Sequence, residues 1–157
     1  MARSSVLVSM DIAALQASNS ANQNAVTEYS AKLQQLQDKI DELDGKKTIL
    51  ESTQFIYGEL KTYIEGHLAS LDETSVCITE IKTEATEQIG GKIDIALSAL
   101  ERLIGQIKSD LLNANTEYDT TYGQLQICKS NLSTGQQRLG TLQTELEQAK
   151  SEELTQM

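Results

Sequence analysis

Proline and tryptophan do not occur in this chain, and phenylalanine and histidine occur once each. Without proline, nothing covalent interrupts a helix from end to end. Aromatic residues make up 4% of the chain, which leaves little material for a thick globular core. Alternating β-branched runs bounded by turn residues, the mark of strands, are absent. No apolar run approaches the roughly 18 residues of a membrane span. The patch Val6-Leu7-Val8, followed by Asp11, is too short for a signal-peptide core. A cytoplasmic protein, or one secreted without a cleaved signal, is therefore expected. Positive charge is scarce as well. Asp and Glu number 23 against 13 Lys and Arg, a net charge of −10. Phosphate binding needs clustered cations, so nucleic acid is an unsuitable partner, and an anionic membrane surface is disfavoured.

What the chain has is a heptad pattern that mirrors itself. In the second half, every seventh residue is large and apolar: Leu97, Ile104, Leu111, Tyr118, Leu125, Leu132, Leu139 and Leu146. The first half carries Tyr29, Leu36, Leu43, Leu50, Tyr57, Ile64, Leu71 and Ile78, and Val8 and Leu15 share that phase. Residues whose numbers add to 182, such as Leu50 with Leu132 and Leu71 with Leu111, pair across a centre at Gly91. Gly90-Gly91 is also the only adjacent glycine pair. The pattern predicts an all-α fold: a long antiparallel two-helix coiled-coil hairpin with its turn at Gly90-Gly91. Uncapped heptads of this length mean coiled coil.

Residues 1–25 are expected to form an N-terminal arm, a short or frayed helix, because Ser18 to Asn24 is a polar run of weak helix preference. The hairpin would occupy 26–157, with helices at about 26–89 and 92–154. Complementary seam positions pair in the same register: Leu33 with Ala149, Ile40 with Leu142, Leu68 with Ala114, and Ile89 with Ile93. In the middle, Lys47, Gln54 and Lys61 face Gly135, Cys128 and Thr121. Polar seam residues cost stability and commonly fix register. Seven other glycines lie within the predicted helices, among them Gly58, Gly123 and Gly135. Each costs about 1 kcal/mol against alanine, and marks either close helix approach or a flexible point. In this register Cys77 and Cys128 are offset by about 34 Å along the helix. A disulfide needs Cα atoms within about 7 Å, so both thiols should be free within one chain.

Helix one carries a second apolar stripe beside its seam. Ile49, Ile56, Tyr63 and Cys77 share one heptad position; Leu60, His67 and Ile81 share the neighbouring one; Phe55 lies close by. Helix two has less of this, chiefly Leu103, Leu112, Tyr122 and Ile127. A two-helix hairpin cannot cover so wide an arc. Either the N-terminal arm folds back over it or another helical chain docks there. Ile49, Phe55, Ile56, Leu60 and Tyr63 are the candidate partner-binding residues.

Signals of catalysis are missing. The chain has no phosphate loop, no H-E-x-x-H and no G-x-S-x-G elbow. Glu80, Glu84 and Glu87 share a helix face, but acid–base work needs a pocket that shifts a pKa. Asn131-Leu132-Ser133 fits a glycosylation triplet, yet Leu132 belongs to the seam. No enzyme activity, cofactor or metal is expected.

The segment Leu33 to Lys47 (LQQLQDKIDELDGKK), followed by Leu50, Phe55 and Leu60-Lys61-Thr62-Tyr63-Ile64, resembles the first helix of small helical proteins from Gram-positive type VII (ESX) secretion loci, encoded beside LXG toxins. The resemblance covers about a third of the chain. It implies a helical hairpin that pairs with the toxin's N-terminal helical domain as a targeting partner or chaperone. Two family features are absent: the W-x-G turn, which Gly90-Gly91 would replace, and a Tyr-x-x-x-Asp or Tyr-x-x-x-Glu export signal between Leu146 and Met157. A partner would then carry the export information. The alternative from another class is a self-assembling structural coiled-coil rod, as homodimer, homo-oligomer or filament subunit.

Overall fold

The structure, a computed structural model, describes residues 4–71 and 76–155. Helix α1 runs from Ser5 to Ala69, α2 from Val76 to Ala85, and α3 from Gly91 to Thr155; a single π-helical turn, Thr86–Gly90, joins α2 to α3. Among the described residues there is no strand. The fold is an all-α helical hairpin. Residues 1–3 of the expected arm and 156–157 lie outside the described residues.

The reversal does not use the glycine pair. Gly91 is an ordinary right-handed helical residue with φ −61° and ψ −38°, and no described glycine has a positive φ. The chain leaves α1 after Ala69, where the backbone N–H of Ser70 is shared between the carbonyls of Gly66 and His67 and that of Leu71 bonds Leu68. The Ser70 hydroxyl donates to His67 O at 2.8 Å and helps to close the helix end. The segment Ser70-Leu71-Asp72-Glu73-Thr74-Ser75 is rich in residues whose side chains compete with helical backbone bonds. Side-chain chemistry of this kind, rather than glycine freedom, accompanies the end of α1.

Two further expectations give way with it. Residues 5–25 are not an arm; they are the first turns of α1. The polar run Ser18 to Asn24 stays helical because tertiary packing outweighs propensity. Hydroxyls along α1 are returned to the backbone, as in Ser9 to Ser5 O at 2.8 Å and Thr27 to Gln23 O at 3.1 Å. The register also moves. An added Cβ on Gly135 would meet Asn19 Oδ1, and Lys61 Nζ reaches Asp94 at 2.6 Å. Residues facing each other therefore have numbers adding to about 154 instead of 182, a slip of 28 residues, or four heptads. A slip by whole heptads keeps every stripe facing the seam, so periodicity alone does not choose between the two.

The chain divides into two compact units. In the unit formed by Met1–Gln37 and Thr116–Met157, the core consists of Val8, Leu33 and Leu36 on α1 with Leu125, Leu142 and Ala149 on α3, and Thr121 is buried among them. Thr121 is level with Leu33 in the observed register, a small residue opposite a large one. At the helix ends, the Ser5 backbone N–H and hydroxyl donate to the two Glu153 carboxylate oxygens at 2.9 and 2.7 Å. Those bonds hold the Glu153 carboxyl below the ordinary carboxylate range. Glu153 satisfies a free N–H at the start of α1, and Lys32 pairs with Glu117 at 2.8 Å further along.

Gly135 shows that at least one helical glycine marks close approach. An added Cβ there would collide with Asn19 Oδ1 and stand 2.9 Å from its Cγ, whereas the other glycines have nothing within 4 Å. Asn19 Oδ1 is buried without a hydrogen-bond partner. The side chain of Asn19 occupies the space that a residue other than glycine would fill. In an Asn19→Ala background, Gly135→Ala is expected to stabilise the protein by about 1 kcal/mol, the helical preference of alanine. With Asn19 present, the clash should remove that gain. Urea unfolding of the four variants measures the coupling; an equal effect of Gly135→Ala in both backgrounds would contradict the close approach.

The second unit, Asp38–Asn115, has a thinner core: Ile40 is its one buried residue on α1, level with Ala114, and Ile93, Ile104 and Leu111 are buried on α3. Beyond Ile40, no described residue of α1 is buried; Leu43, Leu50, Ile64 and Leu68 are half-buried. Lys47, Gln54 and Lys61 fall on the seam of this unit, and their polar ends limit how much apolar contact the seam can make.

Candidate partner-binding face

At 100° per residue, positions seven apart nearly superpose on a helix. Ile49, Ile56 and Tyr63 therefore form a line along α1, with Leu60 about 40° from Ile56 on the side nearer the seam. Phe55 precedes Ile56 by one residue and stands about 100° further round the helix. All five lie in the Asp38–Asn115 unit and are exposed, from 43% at Leu60 to 69% at Phe55. The sequence pattern leaves Leu103 outside these five. It too is exposed, and the observed register places it on α3 nearly level with Ile49, on the same edge of the seam.

Small hydroxyl residues between these side chains make the surface more apolar than the sequence suggests. Ser52 donates to Thr48 O at 2.9 Å, Thr53 to Ile49 O at 2.8 Å and Thr62 to Gly58 O at 3.1 Å. Each hydroxyl is satisfied within the helix, so a docking chain does not have to satisfy it again. Tyr63 is held in place by His67. Their rings lie 4.1 Å apart between centroids, tilted by 37°, and His67 Nδ1 is 2.9 Å from the Tyr63 carbonyl. His67 thus acts as a support for an exposed tyrosine, and a positioned aromatic loses less freedom on binding than a free one.

Several charged side chains of the unit pair with each other. Lys61 bonds Asp94 and lies 3.8 Å from Glu65, and Asp94 raises the Lys61 pKa above the ordinary lysine value. Lys46 pairs with Glu42, and Lys108 with Glu51 at 3.5 Å. The Glu42 carboxyl is held below its ordinary range by the bond from Lys46. Among the described residues, no group of His, Cys, Asp and Glu is placed to hold a metal ion, and no helix is long and apolar enough to cross a membrane. Cys77 is exposed, Cys128 is half-buried, and both are free thiols.

The unit exposes further large apolar residues, among them Val76, Ile81, Ile89, Ile95 and Leu112, while Val6, Leu7, Met10, Tyr122, Ile127 and Leu154 are exposed in the other unit. A helix that is apolar on several sides is normally buried. The N-terminal residues cannot supply that cover, since residues 5–25 are the first turns of the same helix. Compared with known protein families, curated proteins and solved structures, the chain matches none.

Proposed function

We propose that this chain is a non-enzymatic helical interaction protein that binds another helical chain along the face formed by Ile49, Phe55, Ile56, Leu60 and Tyr63. The observation that carries this reading is the mismatch within one unit: α1 buries nothing beyond Ile40, yet it displays five large apolar side chains over four turns. Contiguous apolar surface of that kind marks a partner site, and a line of side chains at seven-residue spacing suits a helix laid alongside. Burying each residue contributes about 1.5–3 kcal/mol. The resemblance of Leu33 to Ile64 to type VII secretion partner proteins directs the choice of first candidate, the N-terminal helical domain of a secreted toxin. In that role the chain is a targeting partner or chaperone.

Replacing Phe55 with the photo-crosslinker benzoylphenylalanine tests this directly. Irradiation of cells that also produce the candidate partner should yield a product heavier than the 17.2 kDa chain and containing peptides of both proteins. A product made of two copies of this chain would transfer the face to self-assembly. Absence of any crosslinked product would contradict a partner site on this face.

A further inference from the structure

The apolar face of the Asp38–Asn115 unit continues across the seam onto α3. The ion pair Glu51–Lys108 at 3.5 Å marks one flank of the seam, and Lys61 reaches Asp94 on that same flank. Ile49 and Glu51 stand about 100° to either side of Leu50, a seam residue, so Ile49, Ile56 and Tyr63 belong to the other flank. On α3 the same geometry puts Leu103 and Lys108 on opposite sides of the seam line through Ile104 and Ile107. Ala96 precedes Leu103 by seven residues and Ala99 precedes it by four, so both alanines lie on the Leu103 side. The observed register sets these three residues level with the stretch of α1 between Glu51 and Gly58. Ala96 and Ala99 are half-buried and Leu103 is exposed.

The two flanks differ in charge. Between Ile49 and His67 on α1, and between Ala96 and Gln106 on α3, no position of the Ile56 flank is Asp, Glu, Lys or Arg, although those residues make up 23% of the chain. Its polar groups are engaged within their own helices: the Thr53 hydroxyl donates to Ile49 O at 2.8 Å, and the Gln106 amide to Asp110 at 3.0 Å. A charged group docked here would lose water and gain no counter-charge, which is costly. Helix axes approach according to the side chains between them. Ala96 and Ala99 present only methyl groups, so a helix laid here seats its own large side chains over them. We propose that the partner helix lies in the groove between α1 and α3, touching Ala96, Ala99 and Leu103 as well as Ile56, Leu60 and Tyr63, and that its contacting stripe is apolar and uncharged over about 27 Å, the rise from Ile49 to His67. The proposal rests on the reading of the Ile49–Tyr63 face as a partner site and adds a second helix to it. Phe55, further round α1, stands outside the groove and is left to another segment of the same partner.

The test places benzoylphenylalanine at Leu103 in one variant of the full chain and at Ile56 in another, in cells that also produce the N-terminal helical domain of the candidate toxin. Irradiation should join both positions to one helix of that domain. Mass spectrometry of the joined peptides should map them to a segment whose side chains at four- and seven-residue spacing are apolar and uncharged. In the Ile56 variant, adding Leu103→Glu should lower the crosslinked yield roughly tenfold, because the new charge is desolvated without a partner. Adding Ser98→Glu, on the Lys108 flank, should leave the yield unchanged. A product from Ile56 with none from Leu103 would put the partner on α1 alone; it would overturn the proposal and leave the partner-site reading standing. A joined segment with Asp, Glu, Lys or Arg on its contacting stripe would overturn it too, as would a product made of two copies of this chain. Absence of any product from both positions would defeat the partner-site reading and this proposal with it.

Discussion

A chain carrying cysteine at Leu43 and Leu111, with Cys77 and Cys128 replaced by alanine, is expected to form an intramolecular disulfide under mild oxidation. The pair Leu71/Leu111 is expected to remain reduced. Leu111 is buried and Leu43 half-buried in the Asp38–Asn115 unit, and the register of about 154 brings them level. A register of 182 would bring Leu111 level with Leu71 instead, so the two designs give opposite results. The bridge at 43 and 111 closes a loop of roughly 70 residues, which should stabilise the oxidised form by about 4 kcal/mol in the chain-entropy view. Non-reducing mass spectrometry and denaturant unfolding read the two consequences. A bridge at 71/111, or bridges only between chains, would contradict the register.

The same contrast separates what a heptad pattern encodes from what it leaves open. Among the described residues, every buried one lies on a seam position visible as a heptad: Val8, Leu36, Ile104, Leu111 and Leu125 on the long stripes, and Leu33, Ile40, Ile93, Ala114, Thr121, Gly135, Leu142 and Ala149 on the complementary ones. The phase of both helices is therefore legible in the sequence, because a repeat of seven assigns each residue to a side. Translation along that repeat is not legible in the same way. A stripe shifted by four heptads still meets a stripe, and Leu50 finds Ile104 as readily as Leu132. The sequence does hold a signal that separates the two, since Ser70 to Ser75 concentrates turn-forming side chains while Gly90-Gly91 only permits a turn. Glycine accepts helical angles at a cost of about 1 kcal/mol, and here Gly91 does so.

The candidate face is partly legible for the same reason. Ile49, Ile56 and Tyr63 share one heptad position, and their exposure follows from lying beside the seam. Leu103 is harder to associate with them, because its place opposite Ile49 depends on the register rather than the phase. The support that His67 gives Tyr63 is a matter of rotamers, which spacing does not encode. The apparent polarity of Ser52, Thr53 and Thr62 misleads in the other direction, since hydroxyls bonded to the turn below leave mainly methyl and methylene groups outward.

The most direct measurement is binding of the helical partner by Ile56→Glu/Tyr63→Glu, made alongside circular dichroism of the free variant. Both residues are large, apolar and exposed, and both lie beside the seam of a unit whose own packing uses neither. Each loses about 1.5–3 kcal/mol of burial in the complex, so binding should weaken by more than a hundredfold, because about 1.4 kcal/mol is tenfold in affinity. The expected result is release of the partner with helix content unchanged. Retained binding would place the interface elsewhere, and loss of helix content in the free chain would show that Ile56 and Tyr63 belong to the internal core.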